Sequence, residues 1–138
     1  MTIVEKAYVF AQRAHAGQKD IFGCDQMAHV SSVADMFNDD ERKVVALLHD
    51  VLKMTDTSYD ALAEAFGQPA ADAVNELTRR DDEPMNAYIA RVKQNPISKE
   101  IKVAELHREM DLSKHPNVTP KDMKERDMRF RLIYQLTV

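Results

Sequence analysis

The stretch ALLHDVLKMTDT, Ala46 to Thr57, decides how this chain is read. Together with Val44 and Val45 before it, its apolar residues Leu47, Leu48, Val51 and Leu52 recur at helical spacing. Asn38 and Glu41 stand at capping-box spacing, so a helix is expected to open there and run through Leu52. His49 and Asp50 fall inside that run, and both are side chains that bind divalent metal ions.

Working outward, the same periodicity recurs on both sides. Residues 2–16 place Ile3, Ala7, Phe10, Ala11 and Ala14 on one stripe, and Gly17 and Gly23 punctuate the loop that follows. Residues 26–37 carry Met27, Val30, Val33, Ala34 and Phe37. Thr57 and Asp60 look like a helix start before ALAEAF, with Gly67 where that helix stops. Further helices are expected over residues 69–79, from Met85 to Asn95-Pro96, and from about Ile97 to Asp111. SKHPNV reads as a loop. Thr119, Pro120 and Asp122 then supply a cap, a first-turn proline and an acid three residues in for a last helix. No apolar/polar alternation is long enough for a strand. The expected fold class is all-α, in one domain spanning residues 1–138.

Composition agrees and narrows the function classes. Hydrophobic content of 44%, charged content of 30% and only three glycines fit a globular helical protein of 138 residues. The formal net charge of -4 argues against a general nucleic-acid surface, but not against a small anionic ligand held by a metal or a local cluster. One cysteine, Cys24, excludes an internal disulfide and fits a reducing cytoplasm. No run approaches the ~20 apolar residues that cross a membrane. MTIVEKAYVFAQRAH, with its acid and histidine, is no signal peptide. RRDDE, 79–83, reads as a solvated loop, KDMKERDMRFR, 121–131, as a surface helix face, and the eight methionines as core filler.

Adjacent residues on a helix point about 100° apart, so His49 and Asp50 share an ion only from a helix end or with another helix alongside. His29, among apolar residues, needs a partner, and Glu105 follows the apolar stretch from Ile101. On spacing alone two readings stand: a four-residue metal site, or two satisfied core histidines beside a solvated Glu105. His107, two residues beyond Glu105 and about 200° around the helix, should not share a site with it. His15 reads as structural or exposed.

Several segments in order resemble the HD-domain metal-dependent phosphohydrolases, and look most like the small stand-alone proteins related to the hydrolase domain of the RelA/SpoT enzymes, which degrade (p)ppGpp. They are VEKAYVFAQRAHAGQ with His15 and Gln18 as a His-x-x-Gln, His29 after the loop, VVALLHDVL, TDTSYDALAEAFG, VNELTRR and IKVAELHREMDLSK. The resemblance implies an all-helical bundle with a metal between helices. It puts His29, His49 and Asp50 at three ligand positions and Glu105 where the family carries Asp. The cofactor it implies is a divalent ion, Mn²⁺ first, with Fe²⁺ or Zn²⁺ also suited to a histidine/carboxylate set.

The departures gather on the side of substrate and water. Where the family follows HD with a Glu-Asp pair, this chain has Lys53 and Met54, the family's catalytic positions without their acids. Methionine is no useful proton acceptor, and lysine is protonated at neutral pH unless strongly desolvated. On a continuous helix Lys53 lies one turn from His49, on the same face. Glu109 stands where the family has Asn, and a negative side chain there should disfavour a phosphate-rich nucleotide. The loop reads Gly23-Cys24-Asp25-Gln26 where the family has Gly-x-Pro-Tyr. Lys19, Lys53 and Glu109 are the candidate substrate-side residues. The expected function is a metal-dependent phosphohydrolase acting on a nucleotide or other small phosphate ester, with no nucleic-acid polymer or membrane as partner. The alternative is a non-catalytic module that binds a nucleotide or a protein.

Overall fold

In the computed structural model, which describes residues 1–113 and 117–138, the apolar periodicity resolves into nine helices. They are α1 (Ile3–Ala14), α2 (Gln26–Ala34), α3 (Asp40–Leu48), α4 (Val51–Met54), α5 (Tyr59–Phe66), α6 (Gln68–Leu77), α7 (Met85–Lys93), α8 (Pro96–Met110) and α9 (Pro120–Thr137). The described residues form no strand; one isolated bridge, Lys19 to Asp25, closes the loop between α1 and α2. The fold is all-α, as expected.

Helix starts are set by side-chain caps. Thr2, Asp25, Asp39, Ser58, Asn95 and Thr119 each accept from a first-turn N–H. Thr119 and Asp122 complete the expected capping box. Two starts differ from expectation by one residue. Asp39, not Asn38, caps α3 through Arg42 N, and Ser58, not Thr57, caps α5 through Ala61 N. The Thr57 hydroxyl is instead paired with Thr55 Oγ1 at 2.7 Å. Gly67 ends α5 and opens α6 at φ 92°, a conformation that favours glycine. SKHPNV falls partly on residues 114–116, outside the described residues.

The larger correction is at His49-Asp50. The expected helix through Leu52 is broken: α3 ends at Leu48 and α4 begins at Val51. His49 N–H turns back to Ala46 O, three residues earlier, so the last turn tightens. Asp50, at φ -105° and ψ -1°, then leaves the helical path. Lys53 is thus carried by α4 and not by a continuation of α3, yet it lines the same cavity as His49.

All five residues from Val44 to Leu48 are buried, so α3 is apolar all round in its second half, which runs through the core. It packs against α1, α2, α6 and α8, while α5 and α6 form a hairpin and α9 lies on α7 and α8. Leu48, Leu62, Val74, Ile89, Ile101 and Leu136 join in one core. Burial of each such side chain contributes ~1.5–3 kcal/mol before conformational entropy is set against it. The methionines are not mainly core filler: Met27 is buried, but Met1, Met36, Met123 and Met128 are exposed, the last two on the solvent side of α9.

Candidate metal centre

His29, His49, Asp50 and Glu105 converge where α2, the end of α3 and α8 meet, with ligand-capable atoms all within 4.8 Å of one another. α2 carries His29 in its interior, with Asp25 capping the helix. The helix break turns His49 and Asp50 toward the same point. The backbone thus meets the requirement that adjacent residues reach one ion from a helix end. α8 supplies Glu105 from 76 residues beyond His29.

The spacing suits a cation. His49 Nε2 and His29 Nε2 lie 2.8 and 3.2 Å from Glu105 Oε2, and 3.5 and 3.7 Å from Asp50 Oδ2. Donors bound at ~2.1 Å in tetrahedral or octahedral geometry stand ~3.0–3.4 Å apart, and the four separations bracket that range, so small side-chain shifts would bring these atoms around one ion. The extra methylene of Glu105 is absorbed: Oε2 reaches both histidines while Oε1 accepts from Lys102 Nζ at 2.9 Å. His49 Nδ1 donates to Ala46 O, which leaves Nε2 free to bind a metal. Gln26 Nε2 donates to Asp50 Oδ2 at 2.6 Å and aims that carboxylate. Asp25 and Gln26, the two departures from Gly-x-Pro-Tyr, thus cap α2 and orient Asp50.

Without a cation, protons and lysine balance the carboxylates. Burial presses the His49 imidazole down, but the carboxylates of Asp50 and Glu105 outweigh it and raise its pKa to about 9. Glu105 is penalised by burial, yet Lys102 and His49 hold it well below the usual carboxylate range. Lys102 is held charged by Glu105 against its own burial, and it lies over the Tyr88 ring at 5.5 Å.

The cluster forms the floor of a cavity of about 360 Å³. Lys19, Lys53 and Arg79 stand exposed at its edge, one each from the loop after α1, from α4 and from the loop after α6. Met54 lines it half-buried, and its carbonyl accepts from Gln18 Nε2. Gln18 Oε1 in turn accepts from His15 Nδ1, so buried His15 and half-buried Gln18 tie the end of α1 to the end of α4. Glu109 also lines the cavity, but Arg129 Nε donates to it at 3.1 Å, so its charge is paired. Burial and the neighbouring Glu105 push the Glu109 carboxyl up. His107 is exposed and faces away, as expected. RRDDE is a loop, but not wholly a solvated one: Glu83 pairs with Arg91, and Arg79 reaches the cavity edge.

Sequence reasoning missed Gln26, Arg79, Lys102 and Arg108. Three of them stand three residues along a helix from a cluster residue: Gln26 from His29, and Lys102 and Arg108 from Glu105. That spacing was a readable signal.

No protein-family profile matches the chain. It is 36% identical over 80 residues to the guanosine-3′,5′-bis(diphosphate) 3′-pyrophosphohydrolase of Aquifex aeolicus, covering 55% of this chain and 12% of that enzyme. It is 33% identical over 82 residues to the bifunctional (p)ppGpp synthase/hydrolase SpoT of Escherichia coli K12, covering 56% and 12%. The aligned stretch is thus about an eighth of either curated relative. A solved structure described as a metazoan ortholog of SpoT that hydrolyses ppGpp superposes with a TM-score of 0.76 and 22% identity, over 99% of this chain and 86% of that one.

Proposed function

We propose, from the premise that this chain is an HD-type relative of the SpoT/RelA (p)ppGpp enzymes, that it is a metal-dependent hydrolase of a small phosphorylated molecule, a nucleotide first. The observation that carries this is the convergence of two imidazoles and two carboxylates at coordination spacing beneath an edge of three exposed cations. His29, His49, Asp50 and Glu105 would hold the divalent ion. Mn²⁺ is favoured, and Fe²⁺ or Zn²⁺ would suit the same donors. When bound, such an ion polarises a phosphoryl oxygen and makes water more acidic.

The remaining work falls to this chain's own side chains. Lys19, Lys53 and Arg79 attract and orient a phosphate-rich ligand, Lys53 as a charged donor in place of an acid. Gln26 holds Asp50 in place, and Lys102 the far oxygen of Glu105. With no carboxylate at positions 53 and 54, we assign the role of proton acceptor to Glu109, which Arg129 positions in the cavity wall. The single cysteine supports a cytoplasmic setting, and none of the described helices is long and apolar enough to cross a membrane.

One observation favours a second reading, a module that binds a nucleotide without turning it over: Lys53 and Met54 stand where the RelA/SpoT-type hydrolases, as the sequence resemblance has it, carry an acid pair. The deciding experiment adds Mn²⁺ to protein purified without chelators and follows phosphate or pyrophosphate release from ppGpp and a nucleotide panel. Mn²⁺-dependent release is the expected result. Metal and nucleotide binding without release selects the binding module, and failure to bind any divalent ion refutes the metal-dependent reading.

A further inference from the structure

One contact at the cluster has the opposite polarity to that of a metal-binding histidine. Arg108 Nη1 lies 3.0 Å from His29 Nδ1. A guanidinium only donates and stays charged, so Nδ1 must accept. The His29 ring proton is therefore on Nε2, which lies 3.2 Å from Glu105 Oε2 and donates to it. A metal on Nε2 requires the reverse, with the lone pair on Nε2 and the proton on Nδ1, facing the Arg108 N–H. His49 has no such conflict, since its Nδ1 already donates to a carbonyl. For His29 to ligate, Arg108 has to leave it.

An acceptor stands ready. Asp20 Oδ2 is 3.8 Å from the same Arg108 Nη1, and the Asp20 side chain is only 3% exposed. Its Oδ1 accepts from Phe22 N and Cys24 N and so shapes the loop between α1 and α2. Oδ2 is buried and accepts no hydrogen bond among the described residues. Such an orphaned oxygen is costly, and an approach of ~1 Å would give a charge-assisted bond of ordinary length.

We propose that Arg108 is a two-position switch, donating to His29 Nδ1 when the cluster holds no cation and to Asp20 Oδ2 when it holds one. Arg108 thereby sets the metal affinity and links metal loading to the loop that carries Lys19. The inference rests on the metal-binding reading above, so its test includes a measurement that needs no metal.

Histidine ¹⁵N NMR on the metal-free full chain should find the His29 ring proton on Nε2, with Nδ1 accepting from Arg108. A proton on Nδ1, or on both nitrogens, overturns the switch whatever the metal does. Calorimetric titration with Mn²⁺ should then show Arg108→Met binding about tenfold tighter than the unaltered protein, the low end of effects seen around metal-ligating histidines. Asp20→Asn should weaken Mn²⁺ binding, and that loss should vanish in the Arg108→Met background. Unchanged or weaker binding by Arg108→Met overturns the proposal. If His29 has the expected tautomer but neither protein binds Mn²⁺ or Zn²⁺, the metal-binding reading has failed and the switch falls with it.

Discussion

The Glu105 carboxylate stands 2.8 Å from His49 Nε2 on one side and 2.9 Å from Lys102 Nζ on the other, so one buried side chain holds together an imidazole and an ammonium. Its replacement tests both stability and metal binding. In Glu105→Gln the partly buried Lys102 keeps its charge and loses its counter-ion, a change that costs ~1–3 kcal/mol, below the figure for a fully buried pair. Urea denaturation should show that loss, and Mn²⁺ titration should show binding weakened by at least ~100-fold, beyond what loss of an outer partner costs.

Lys53 and Met54 line the same cavity as the cluster, where an acid pair could reach water. The double change Lys53→Glu and Met54→Asp should raise phosphate or pyrophosphate release from ppGpp by ~10²-fold or more, the usual contribution of a positioned proton acceptor. No gain in a variant that still binds Mn²⁺ would locate the deficit elsewhere in the cavity. Glu109→Gln in the unaltered background should lower turnover by a similar factor with KM little changed.

Arg79 stands exposed at the cavity edge, with its Nε donating to Glu83 O. Arg79→Gln should raise KM for a nucleotide about tenfold while leaving kcat within a factor of two, and should reduce the sensitivity of KM to salt. A kcat effect without a KM effect would count against a role in ligand attraction.

Glu83 links the loop after α6 to α7. The Arg91 guanidinium, followed by the Arg80 N–H, holds its pKa at about 2 against an ordinary value of 4.5. A depressed carboxylate stabilises the fold fully above 4.5, and that contribution is lost as pH falls through the folded value. Glu83→Gln should therefore lower the urea midpoint at pH 7, and the difference from the unaltered protein should shrink steadily between pH 4.5 and pH 2. A difference constant across that window would show that the ion pair is not its source.

From sequence alone, the helical period of the apolar residues determined the all-α class. Local chemistry determined most helix ends, because caps such as Thr119-Asp122 and stops such as Gly67 act within one turn of chain. His29, His49, Asp50 and Glu105 were also legible as candidates, since their types and order survive in a linear reading. Only the tertiary structure decided how they meet. The break after Leu48 combines a local turn, His49 back onto Ala46 O, with Gln26 reaching Asp50 from another helix, and that second contact is encoded by no local propensity. The same holds for the pairing of Glu109 with Arg129 and for the placing of Arg108 between His29 and Asp20. A side chain's charge is written in the sequence, but its partner is set by which helices pack together. At this site the partners decide which nitrogens and oxygens remain free.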